Sequence, residues 1–145
     1  MCARPIRTTL WALALAAACL TAGAAGAQAP DSRVVRPSEI TVLSGSVFRI
    51  GDERYQVAGV RTPRPRGGRC LLERRRGREA RTALRRLLRR GEVRITPTGQ
   101  VGPRGERFAQ VQVERVDVAQ RLIDRRVAVP RQAAEGRNPW CLNLR

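Results

Sequence analysis

Apolar and polar residues alternate with a period of two in several short stretches of this chain and switch to helical spacing in two others. Residues 40–43 form a short apolar run and Ser44-Gly45 reads as a turn. Residues 47–50 then resume with Phe48 and Ile50 on one face and Arg49 on the other. After a second turn at Gly51-Asp52, residues 55–60 read as a strand in which Tyr55 and Val57 oppose Gln56 and Ala58. Prolines and glycines make 62–68 a loop. From 71 to 90 the period changes: Gly77, Ala80, Leu84, Leu87 and Leu88 recur three and four residues apart, and arginines cover the other faces. Gly91 stands where a left-handed helix cap is expected.

Val93 and Ile95 then predict a short strand, and 97–105 a loop. Ala109, Val111 and Val113 alternate with Gln110, Gln112 and Glu114, the clearest strand pattern in the chain. Val118, Leu122 and Ile123 mark a second helix within 116–126, and the tail from Val127 reads as mostly irregular. Three strands, a helix, two strands and a helix predict a mainly β fold with helices, of α+β class. The expected architecture is a five-stranded OB-type barrel with a long helix after strand 3 and a second helix after strand 5.

Residues 1–27 have the layout of a secretory signal peptide: Arg4 and Arg7, an apolar stretch, then Ala25-Gly26-Ala27 as a cleavage site. A membrane anchor and lipid attachment at Cys19 are the competing readings. An extended linker at 28–38 and a single domain at 39–145 complete the expected organisation, and no other stretch is apolar enough to span a bilayer. The expected location is therefore periplasmic or secreted. Cys70 and Cys141 remain outside the leader, and an even pair in an oxidising compartment predicts a disulfide. With no histidine in the chain, the two cysteines make a poor metal site, and neither metal nor cofactor is expected.

The formal charge of +17 suits an anionic partner such as nucleic acid, acidic polysaccharide or an anionic membrane. All the basic residues are arginine, and a GC-rich coding sequence is an alternative source of part of that charge. The candidate polyanion contacts are Arg61, Arg64, Arg66, Arg69, Arg74, Arg78 and Arg81. The few aromatic residues, Phe48, Tyr55, Phe108 and Trp140 among them, argue against strong base stacking.

Several segments together resemble the staphylococcal-nuclease-like (thermonuclease) family. They are Val47-Phe48-Arg49-Ile50, Tyr55 to Val60 followed by Thr62-Pro63, Cys70-x-x-Glu73 leading into a helix, the turn from Gly105 to Ala109, Val116-Asp117-Val118-Ala119 with Leu122-Ile123, and Pro139-Trp140-Cys141. The resemblance implies an OB-type fold and calcium-dependent phosphodiester hydrolysis, which needs carboxylate ligands, a carboxylate to activate water, and two arginines on the phosphate. At the matching positions this chain has Ser44 and Ser46 for two metal-binding aspartates, Gln56 for an arginine, and Arg61 and Arg64 for the third metal carboxylate and the water-activating glutamate. The second catalytic arginine falls on Glu106, or on Arg107 with a one-residue slip.

The resemblance thus implies a retained fold without the reaction; the arginine excess adds nucleic acid or another polyanion as the expected partner, and a monomer is expected. Two other readings compete: an active calcium-dependent nuclease with ligands relocated to Asp52 and Glu53, and an envelope interaction domain without a nucleic-acid role.

Overall fold

A computed structural model describes residues 31–141. The leader at 1–27, the start of the 28–38 linker and residues 142–145 lie outside the described residues. The strands are β1 (Arg33–Val35), β2 (Ile40–Val42), β3 (Val47–Ile50), β4 (Glu53–Val57), β5 (Val60–Arg61), β6 (Val93–Val101), β7 (Arg107–Val113), β8 (Val116–Asp117) and β9 (Val129–Pro130). The helices are α1 (Leu71–Leu88) and α2 (Val118–Asp124).

The main sheet runs in the order β1-β6-β7-β4-β3-β2, with β8 added on β7. β4 and β7 are parallel, and the other neighbours are antiparallel. The two strands at the ends of this order come from one segment, joined by a 3-10 turn at Pro37–Glu39. Five interstrand steps in a flat sheet would separate them by about 24 Å. The chain from Val35 to Ile40 reaches at most about 18 Å. The sheet must therefore curl toward closure, and the result is a barrel-like α+β fold with a curled half-barrel sheet and two helices.

Its inner face follows the alternation in the sequence. Phe48, Tyr55, Val57, Ile95, Val111 and Val113 are buried with Leu84, Leu87 and Leu88 of α1 and Val118 and Leu122 of α2. Phe48 and Tyr55, register partners on β3 and β4, stack with ring centroids 5.7 Å apart. α1 buries its expected stripe of Gly77, Ala80, Leu84, Leu87 and Leu88, the three leucines against this core.

Five expectations change. Part of the expected linker is β1, whose Val35 is buried and which pairs with β6; three residues are too few to show a period. The strand expected over 55–60 ends at Val57: Gly59, at φ 75°, turns the chain so that β5 leaves the main sheet and pairs with β9 in the expected irregular tail. β6 continues through Pro97 to Val101 where a loop is expected, with a register shift between those two residues. β1 covers only Val93 to Ile95, so the missing N–H of Pro97 faces no strand. Gly91 has no left-handed φ, and a Cβ there would meet only the side chain of Glu114, with Oε1 at 2.8 Å. The second helix is shorter than 116–126, because Val116–Asp117 pairs with β7 before Asp117 caps α2 through Gln120 N (3.0 Å).

Candidate functional site

The Ser44-Gly45-Ser46 turn joins β2 to β3. Ser44 Oγ accepts from the N–H of Val47 (3.1 Å), which closes the turn locally. Gly45 is pressed against α1 and the segment after β5, since a Cβ there would lie 2.6 Å from Ala80 Cβ and 3.0 Å from Thr62. Ser46 is buried, its hydroxyl 3.0 Å from that of Thr62, while its carbonyl accepts from Val57 N at 2.8 Å. The Ser46 hydroxyl of this turn is thus paired with a neutral hydroxyl from the segment after β5.

Gln56 is half-buried on β4, with Val47 of β3 and Phe108 of β7 as register partners on either side. Arg61 leaves β5 toward the C-terminal segment. It donates to the carbonyls of Ala134 (2.6 Å) and Arg137 (3.3 Å), and its guanidinium lies 5.9 Å from the Trp140 ring. Arg64 is exposed. Thr62, Gly45 and Ser46 thus meet in one place, Gln56 lies one strand away, and Arg61 is committed to the tail.

The loop after Arg61 is held from below by Glu73, which the sequence marks only as part of Cys70-x-x-Glu73. Its buried carboxylate accepts from the N–H of Arg64 (3.3 Å), the N–H of Arg69 (2.8 Å) and Asn138 Nδ2 (2.9 Å). Burial pushes the Glu73 carboxyl up, but those three donors, with the Arg64 charge, outweigh it and hold it below the ordinary 4.5. Gly77 completes the clamp, because a Cβ there would collide with the backbone of Arg64 and Pro65. Cys70 caps α1 through Glu73 N (3.4 Å) and is bonded to Cys141 (S–S 2.11 Å). The disulfide therefore ties the tail to the helix start.

Cys70, Glu73 and Cys141 bring three potential metal ligands within 4.8 Å of one another. With the two sulfurs bonded together, the carboxylate is the one ionised group of the three. Glu106 lies two residues before Phe108. It is buried and accepts from Arg104 N at 3.2 Å.

Of the two carboxylates expected as relocated ligands, Asp52 is exposed and Glu53 has other partners. Glu53 accepts from the Tyr55 hydroxyl (2.7 Å) and pairs with Arg107 (3.1 Å) and Arg33 (3.2 Å). The Tyr55 hydrogen bond and then the two arginines hold its carboxyl below the ordinary 4.5 against desolvation. Arg107, the alternative catalytic arginine, is thus engaged at this carboxylate. Glu53 pins β1, β4 and β7 together, with the Arg33 guanidinium 5.1 Å from the centre of the Tyr55 ring.

Arg66, Arg69, Arg74 and Arg78 are exposed, and Arg81 is half-buried. Arg74, Arg78, Arg81 and Arg85 recur every three or four residues and form one stripe beside the buried face of α1. No helix among the described residues is long and apolar enough to cross a membrane. No protein-family model matches this chain, and no curated protein matches it, so the thermonuclease resemblance rests on the sequence segments alone.

Proposed function

We propose that this chain is a thermonuclease-like OB-type domain that has lost phosphodiester hydrolysis and binds polyanions through its arginine surface. The observation that carries this reading is the pairing of Ser46 with Thr62 beside an Arg61 turned into the tail. A calcium ion needs several anionic oxygens. Neutral hydroxyls and a guanidinium at these positions offer it none. Losing one electrostatic participant commonly lowers a rate about 100- to 1000-fold, and here the ligands, the water-activating carboxylate and an arginine are replaced together.

The strand order supports the OB reading, with β4 parallel to β7 and one segment supplying both end strands. The exposed arginines of the 64–69 loop and of α1 supply the polyanion surface. Secretion fits the signal-peptide layout of 1–27 together with the Cys70–Cys141 bond, and we take the domain to be a monomer.

Incubating the disulfide-bonded protein with plasmid and single-stranded DNA, with calcium or with chelator, tests the loss of catalysis. The expected result is no chelator-sensitive cleavage; cleavage that tracks calcium through purification overturns the reading. Binding to heparin or DNA should weaken steeply with salt, and each phosphate-contacting arginine removed should flatten the log K against log salt slope by about 0.7–0.9. Binding confined to very low salt defeats the polyanion half of the proposal.

A further inference from the structure

A groove of about 370 Å³ lies between α1 and the segment from the Pro37–Glu39 turn through β2, away from the Ser46–Thr62 pair. Its helix wall carries Arg81, Arg85 and Arg89, and its floor includes Ile40, Val42 and Leu88. Among the described residues no carboxylate lines it, and none of the three arginines is in a salt bridge. Three uncompensated cations along an apolar floor call for an anionic occupant with apolar content.

The opposite wall is a strand edge. Among the described residues, β2 ends the sheet order and pairs with β3 alone. The Val42 carbonyl accepts from Arg81 Nε at 3.3 Å, so it points toward α1, and the Ile40 N–H bonds back to Pro37 O. Antiparallel strands direct the backbone groups of alternate residues to the same edge, so Ile40 C=O and Val42 N–H share that outer side. The edge is too short to invite aggregation but long enough to register one extended chain.

The spacing of charge narrows the ligand. Arginines four apart on a helix rise about 6 Å from one to the next. Side chains on one face of an extended peptide recur every two residues, about 6.6 Å apart. The two pitches are close enough for three arginines to meet acidic side chains at alternate positions of an extended peptide. Single-stranded nucleic acid gains by stacking its bases on aromatic faces, and among the described residues no aromatic side chain lines the groove to offer that gain.

We infer that this groove is a docking site for an extended acidic peptide, which adds a strand to the free edge of β2 and places alternate carboxylates on Arg81, Arg85 and Arg89. The inference stands on the groove alone and goes beyond polyanion binding through the surface arginines. It also gives Arg81 a resting role: its bond to the Val42 carbonyl occupies an edge acceptor that the incoming strand takes over.

Fluorescence anisotropy with a labelled nine-residue peptide of alternating glutamate and threonine tests it on the disulfide-bonded protein. The comparisons are a peptide of equal composition with its glutamates blocked together, an alternating peptide N-methylated along one edge, and oligothymidylate. The alternating peptide should bind about tenfold more tightly than the blocked one. It should lose about tenfold in affinity on Arg85→Glu or Arg89→Glu, as expected for charge-assisted hydrogen bonds. Arg85→Lys should restore part of that affinity. Both positions are exposed, so the fold should survive.

Hydrogen exchange at the Val42 amide should slow when the peptide binds, and N-methylation should weaken binding. Equal binding of the blocked peptide, indifference to N-methylation, or oligothymidylate displacing the peptide with an unchanged Val42 amide would each overturn the inference. Failure of heparin or DNA to bind would count against polyanion binding and leave these outcomes readable.

Discussion

At the scale of single residues, Glu73 has the largest number of consequences. One buried carboxylate holds the backbone at Arg64 and Arg69 and the side chain of Asn138. Because its folded carboxyl sits below 4.5, the stability it contributes is fully present above the unfolded value and is lost as pH falls through the folded one. Glu73→Gln should therefore lower stability by about 1–3 kcal/mol at neutral pH, and the gap from the parent protein should narrow on acidification. Urea midpoints measured from neutral pH to pH 3 check this; a gap independent of pH refutes the linkage. Glu53 adds a contribution of the same sign, screened by its half-exposed position. Gly77 is required for a different reason, because its missing Cβ makes room for the backbone at Pro65. Gly77→Ala should cost about 1–3 kcal/mol although alanine is the better helix former, whereas Gly91→Ala meets only the flexible end of Glu114 and should cost less. Thermal melts of the two variants compare them directly.

At the scale of elements, α1 organises the molecule. Its first turn carries the Cys70 cap and Glu73, its middle presses on the 44–46 turn and the 64–65 segment, and its last turns line the β2 groove. The helix was legible because its apolar stripe repeats over many residues; its contacts were not, since they join it to loops without a period of their own. The disulfide links the start of this helix to the tail across 71 residues. Reduction, or Cys70→Ser with Cys141→Ser, should remove about 4 kcal/mol in the chain-entropy account. The tail should then loosen around Arg61, seen as faster exchange in the backbone of 131–141. β6 shows why punctuation can mislead. Proline and glycine at 97–99 carry a loop signal, yet Pro97 lies beyond the reach of β1 and needs no donor on that side. Whether a proline breaks a strand depends on a neighbour that its own sequence does not name.

At the scale of the whole molecule, closure of the sheet depends on β1, three residues that look like linker. Val35→Asp would bury an unpaired carboxylate where β1 meets β6 and should destabilise the domain by about 3 kcal/mol or more. Urea unfolding checks it; an effect below 1 kcal/mol would mean the barrel does not need that strand. The sequence by itself determined the class of most elements, the inward faces of β3, β4 and β7, the buried stripe of α1, the pairing of Cys70 with Cys141 and the excess of arginine. These are properties of period, composition and count, which local chemistry dictates. Tertiary structure alone decided that Arg61 points into the tail, that Ser46 satisfies Thr62, that Glu53 gathers Arg33 and Arg107, and that three helix arginines face an open strand edge. Each of these joins residues far apart in the chain, and side chains that meet only after the sheet curls leave no pattern along it beforehand.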